Sequence, residues 1–515
     1  MNDKAIQYAK DSIAVLDTLW SNLEYDDRRL TFDDTTIKGG CGIILQSVYY
    51  NIKEHRDALV ACENARSRSL RWLLSQQQSR YKINGPNAVS DHTQKEFQSS
   101  ANIIDFNMIK ETAAKSKSAI IVYSLHEDGD ILIWVIKGSE EAEIIPKKVG
   151  MGEGFKSLKD LVASTRKTLG VRSPDARQDL EMEDAESSFQ GEESVPRKQT
   201  FMNQTKTQKT EIDLKELKRV YKILIDPIEK NLKNEKRVTV IPFGDLYSLP
   251  FTALVDDHGK YLIEKFALSF APSIGTLVEL QNRINEKVSL QNDKQDSSAA
   301  SFAVIVGNPH YHREMRMNSL PCAESEAKGI HGIMTGAGKE SKLLTGREAS
   351  KEAVVEAMEG AAVIHLASHG SKDGIFLSGL TEEEGKLTME EVQRLRLRRA
   401  RMVVLSACDT FKGDVRIDGL VGITRAFIAA GSPTVVASLW PVDDKITEYM
   451  MTRLYGILFP SVKGRGEDDC ASGVDVCSAL QQVMIEMKDQ YSVEEWAPFL
   501  MYGLSPRKSS FHALN

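Results

Sequence analysis

The sequence predicts an α/β protein: a mostly parallel sheet flanked by helices, preceded by an α-helical region. Three observations carry that prediction. Val363-Ile364-His365-Leu366-Ala367-Ser368 and Met402-Val403-Val404-Leu405-Ser406-Ala407 are short aliphatic runs bounded by polar or Gly-containing turns, the pattern of strands buried on both faces. Arg237–Ile241 and Ser301–Val306 repeat that pattern with helical stretches between them, the alternation expected of right-handed crossovers in a parallel sheet. Residues 1–80, by contrast, place their apolar side chains at helical spacing.

Taken in order, Ala5, Tyr8, Ala9, Ile13, Leu16 and Leu19 mark a first helix. Ile43–Ile52 and His55–Leu74 follow, the latter with Ala58, Ala61, Cys62, Ala65 and Leu70 on one stripe. Residues 81–100 are polar and read as a linker. Ala119–Ser124 and Ile131–Lys137 form a hairpin signal around Glu127-Asp128-Gly129-Asp130, with Ile144–Pro146 as a further strand and Phe155–Leu169 as an amphipathic helix. Residues 172–210 are rich in Asp, Glu, Gln, Ser and Lys and contain too little apolar surface to order themselves. Glu211–Asn234 reads as one helix. A helix starts near Leu320-Pro321-Cys322-Ala323-Glu324-Ser325-Glu326, with acidic residues at the end the dipole favours. Leu343–Leu344 is a short strand, and Ser350–Met358 is a helix with a Ser cap.

Length and composition bound the function. The 515 residues allow roughly two to four domains. A 41% hydrophobic and 27% charged composition describes a globular chain, and a net charge of −7 without a basic block argues against nucleic-acid binding. Met1–Thr18 is punctuated by charges, so no signal peptide is expected, and no apolar run is long enough to span a membrane. Six scattered cysteines suggest a reducing, cytoplasmic setting. Cys470 and Cys477 fall in an expected Gly/Asp-containing loop with no nearby His, so no metal site is expected. Gly336-Ala337-Gly338-Lys339 lacks the P-loop spacing and is followed by Glu340, so no nucleotide or other cofactor is expected.

The chemistry sits at two strand ends. One apolar run ends at His369-Gly370 and the other at Cys408. Neighbouring parallel strands bring their C-terminal ends together, where open α/β sheets build their sites. A thiol beside an imidazole is sufficient for nucleophilic acyl transfer. Singly, a Cys at a strand end can be a small buried hydrophobe, and His365, in the body of the strand, reads as a core histidine.

The chain resembles the CHAT domains, caspase-like cysteine peptidases of the clan of caspases, metacaspases and separase. The motifs are His365-Leu366-Ala367-Ser368-His369-Gly370, Leu405-Ser406-Ala407-Cys408-Asp409-Thr410, Gly419–Phe427 and Gly431–Asp444. Val240–Phe251, Ala271-Pro272-Ser273 and Trp496-Ala497-Pro498-Phe499 with Gly503 complete the pattern. Asp409 departs from it, since the family often has Glu there. The resemblance implies a pseudo-caspase half at 101–300, a catalytic half at 301–505, and tetratricopeptide-like units in residues 1–80; a capping helical bundle is the other reading of that region. It also implies a cysteine endopeptidase with His369 as base and Cys408 as nucleophile. Gly370, which lacks a Cβ, and Cys408 would donate backbone N–H groups to the oxyanion. Ser406, two residues before the nucleophile, would line the substrate pocket. Asp444 stands where a separase segment places the Asp that binds a basic side chain, so cleavage after Arg or Lys is expected, with a small apolar side chain as the runner-up. Asp443 is a second candidate there, and either aspartate could instead cap the helix starting near Lys445. Expected partners are a protein substrate, gasdermin-like or another signalling protein of regulated cell death, and a regulator docked on the N-terminal helices. An inactive or activator-dependent scaffold is the alternative.

Overall fold

Aliphatic runs become strands throughout the computed structural model, which describes residues 2–23, 28–29, 38–83, 103–138, 143–152, 154–171, 206–290, 302–371, 373–407, 414–416, 419–461 and 474–505. The strands are β1 (Ala119–Leu125), β2 (Ile131–Ile136), β3 (Ile144–Val149), β4 (Arg237–Ile241), β5 (Ala267–Phe270), β6 (Ala303–Pro309), β7 (Ser341–Gly346) and β8 (Val363–Ser368). There follow β9 (Gly370–Ser371), β10 (Gly374–Phe376), β11 (Lys386–Thr388), β12 (Met402–Ala407), β13 (Asp414–Arg416), β14 (Gly419–Val421), β15 (Thr434–Ser438) and β16 (Phe499–Gly503). One eleven-stranded sheet runs β3-β2-β1-β4-β5-β16-β15-β12-β8-β6-β7. It is mostly parallel; β2 is antiparallel to both β1 and β3, and β15 is antiparallel to β16.

The last strand is the seam. β16 pairs parallel with β5 and antiparallel with β15, so the two halves share one sheet rather than meeting as separate domains. Alternate residues face opposite layers, as the strand period requires. Ile121, Tyr123 and Val240 belong to one core cluster, Ile120, Val122 and Ile241 to the other.

Several elements differ from the sequence reading, each for a local reason. The expected helix Glu211–Asn234 is Lys206–Leu224 followed by a short helix Asp226–Glu229. Pro227 has no N–H to continue the first helix and instead starts the second. Residues 206–210 of the expected unstructured insertion are therefore helical, as are 81–83 of the expected linker, which end the helix Arg68–Ile83; 172–205 and 84–100 lie outside the described residues. β7 spans six residues instead of two, because pairing with β6 extends through polar positions on an edge strand. β3 is longer than Ile144–Pro146 for the same reason, and as an edge strand it tolerates Pro146. The expected helix from Phe155 starts at Leu158, where the Ser157 side chain accepts from the Asp160 N–H. Cys477 lies not in a loop but buried in the helix Val476–Met487; Cys470 lies outside the described residues.

The N-terminal helices Asn2–Ser21, Lys38–Asn51, His55–Asn64 and Arg68–Ile83 are built into the sheet domain. Arg66 reaches across the edge of the first half and donates to the carbonyls of Tyr123 and Pro242. Gln46 donates to the carbonyl of Leu125. Buried Glu63 accepts the Ile274 N–H at 2.6 Å, at the start of the helix Ile274–Leu290. Arg425, in the helix Ile423–Ala429, donates to the Ser69 hydroxyl. Among the described residues, no helix is long and apolar enough to cross a membrane.

Candidate active site

β8 and β12 lie side by side and parallel, with Ala407 opposite Ser368. His369 and Cys408 follow these two residues in sequence. Cys408, Asp409 and Thr410 lie outside the described residues. Ala407, whose Cα is about 3.8 Å from the next one along the chain, lines the same cavity as His369. That cavity has a volume of about 230 Å³ and opens at the strand ends. Ser406 and Asp444 also line it, so three residues named from the sequence meet there.

His369 is held from two sides. Its Nε2 donates to the Asn318 carbonyl at 2.8 Å, and its backbone N–H donates to the Tyr311 hydroxyl at 3.2 Å. The first bond places the proton of the neutral ring on Nε2 and leaves Nδ1 as the acceptor. The Tyr311 ring packs 5.0 Å from the imidazole, and its hydroxyl donates to Ser368 Oγ at 3.4 Å. Burial holds the Tyr311 phenol above its ordinary pKa, so it stays a neutral donor. Ser368 in turn bonds the Phe376 carbonyl of β10.

The Asn318 carbonyl is aimed by its neighbours. Asn308, at the bulged end of β6, has φ 47°, a left-handed conformation that asparagine tolerates. Its Oδ1 accepts from the Leu320 N–H at 2.7 Å and from the Ser319 hydroxyl at 3.2 Å, while its Nδ2 donates to Glu324. The adjacent Gly307 lets the helix Pro321–Gly336 lie against β6, since a Cβ there would come within 2.4 Å of the Ala327 Cβ. That close approach carries Ala323 and Glu326 into the cavity wall.

The two aspartates divide. Asp443 Oδ1 accepts the Lys445 N–H at 3.0 Å and caps the helix Asp444–Leu458; the aspartate that lines the cavity is Asp444, exposed at its mouth. Gly370 lies in β9 opposite Ile375, half-buried beside His369. His365 is fully buried in β8, its ring edge-on to Tyr455 at 5.4 Å. Tyr311, Asn318 and Glu326 were not singled out from the sequence; of these, only Glu326 carried any signal, as an acidic residue near a helix start. Among the described residues, no three His, Cys, Asp or Glu side chains are grouped to hold a metal ion.

The CHAT domain pattern matches residues 214–504. The chain belongs to the CHAT domain family. It is 25% identical over 349 residues to tetratricopeptide repeat protein 28 of Homo sapiens and 26% identical over 376 residues to that of Mus musculus. Those alignments cover 57% and 63% of this chain but only 13% and 14% of the relatives. The separase of the Saccharomyces cerevisiae separase–securin complex superposes with a TM-score of 0.53 at 12% identity. That superposition covers 98% of this chain and 38% of separase. At that identity the likeness shows the fold alone, and the fold is caspase-like.

Proposed function

We propose that this CHAT protein is a cysteine endopeptidase that cuts a protein substrate after Arg or Lys. The observation that carries the proposal is His369, tethered through Nε2 to Asn318, on a cavity that Ala407, Ser406 and Asp444 also line. Cys408 gives its thiol proton to His369 Nδ1, and the thiolate attacks the scissile carbonyl. The C–N bond then breaks as His369 protonates the leaving amine. Water, deprotonated by the same imidazole, hydrolyses the thioester and restores the thiol. Gly370 and Cys408 supply the N–H donors for the oxyanion.

The test is hydrolysis of a fluorogenic peptide library varied at the residue before the cut. Arg and Lys peptides are cleaved, and Asp444→Asn lowers kcat/KM for them by about tenfold, as loss of an exposed charge partner at a binding rim does. Cleavage after other residues only would remove Asp444 from the reading. Tyr311→Phe takes away both hydroxyl hydrogen bonds to the segment carrying His369, from the His369 N–H and to Ser368 Oγ, and lowers kcat about fivefold, ~1 kcal/mol. An unchanged kcat in that variant would show that the ring contact alone positions the imidazole.

A further inference from the structure

We propose that Glu326, buried in the wall of the cavity, is the carboxylate that binds the substrate's cationic side chain, with the exposed Asp444 attracting it. The inference rests on the reading above that the residue before the cut is basic. Glu326 is 2% exposed and lines the cavity. Its Oε1 lies 2.9 Å from His365 Nε2, yet the imidazole is not aimed at it. Glu326 Oε1 and both His365 nitrogens are therefore buried without a hydrogen bond. Ser406 Oγ, on the same cavity, is also buried and unpartnered. Buried polar atoms without a hydrogen bond are costly and rare, and two of them, Glu326 Oε1 and Ser406 Oγ, belong to residues that line the cavity a substrate side chain would enter, with His365 behind Glu326 rather than on the cavity.

Their chemistry defines the guest. A carboxylate oxygen and a hydroxyl are acceptors for the several N–H groups of a guanidinium, whose planar fork a lysine ammonium lacks. Ala323, Val442 and Phe499 give apolar walls for the methylene stem. About 230 Å³ suits one long side chain, being smaller than the roughly 300–1,000 Å³ of pockets that take whole small molecules. Arg is therefore preferred to Lys by about tenfold in kcat/KM.

The experiment compares wild type, Glu326→Gln and Glu326→Asp on peptides with Arg, Lys or Ala before the cut. It also measures benzamidine binding by calorimetry to wild type, Glu326→Gln and Cys408→Ala. Glu326→Gln loses about 100-fold on the Arg peptide, as removal of a buried charge partner does, and no longer binds benzamidine. Cys408→Ala still binds it. Glu326→Asp, which keeps the charge, retains the Arg preference at lower rate and covers the case in which the Gln variant misfolds. If Glu326→Gln hydrolyses the Arg peptide within threefold of wild type, Glu326 is not the anion, and cationic specificity stands on Asp444. If no peptide is cut, the peptidase reading fails, and benzamidine binding then decides alone. Binding lost in Glu326→Gln upholds the cation site, and absence of binding to wild type overturns it.

Discussion

Cys408→Ala and His369→Gln are each expected to lower hydrolysis of an Arg peptide by at least roughly 10³-fold, and the double variant to be no worse than either single one. The two side chains act as one unit, so removing either removes the activated nucleophile, leaving only what binding and the oxyanion donors supply. His369 is half-buried and bonded to a loop carbonyl, so its replacement changes chemistry more than stability. The check is a progress curve for each variant beside its melting temperature. Labelling by a peptidyl acyloxymethyl ketone should be seen in wild type and absent in Cys408→Ala. Equal rates in wild type and Cys408→Ala would end the peptidase reading and leave the scaffold.

Glu63→Ala is expected to destabilise the whole chain by about 3–5 kcal/mol, the cost of breaking a buried charge pair from one side. Glu63 is fully buried, accepts the Ile274 N–H, and sits 3.9 Å from Arg66. Arg66 in turn bonds carbonyls at the ends of β1 and β4. Burial is the largest influence on the Glu63 carboxyl and raises its pKa, with Arg66 opposing. A folded-state pKa above the unfolded value adds stability below the ordinary carboxylate range, and that stability is lost as pH rises through the folded value. The advantage of wild type over the non-titrating Glu63→Gln is therefore largest below the ordinary carboxylate range and shrinks as pH rises above it. Urea unfolding of the variants as a function of pH, starting below the ordinary carboxylate range, reads both effects. A Glu63→Ala midpoint equal to wild type would mean that the N-terminal helices are an appendage. The expected loss means they cannot be removed without destabilising the ends of β1 and β4 beneath them.

That integration separates what was legible in the sequence from what was not. Periodicity is local, so the aliphatic runs of β1, β2, β4, β8 and β12 could be read directly, and the rule that sites form at parallel strand ends pointed to His369 and to the position after Ala407. The Ser350 and Asp443 caps were equally local, although only the helix start at Asp444 decided which aspartate caps and which lines the cavity. The tertiary structure alone decided the rest. Asn318 acts through a carbonyl, a group every residue carries, and only the loop held by Asn308 aims it at His369. Glu326 reads in sequence as one more acidic residue near a helix start, as does Glu324. Packing against Gly307 turns Glu326 toward the cavity, while Glu324 bonds Asn308 and Lys328. The place of β16 between β5 and β15 depends on pairing with β5 across more than two hundred positions of the chain, and with β15 across more than sixty, for which no local pattern exists. Local patterns alone determined the buried strands β1, β2, β4, β6, β8 and β12 and the ends where chemistry would lie, because these follow from near neighbours, whereas strands such as β5, β10 and β16 and the exact helix bounds did not. Which carbonyl holds the imidazole and which carboxylate lines the cavity were decided only by long-range packing.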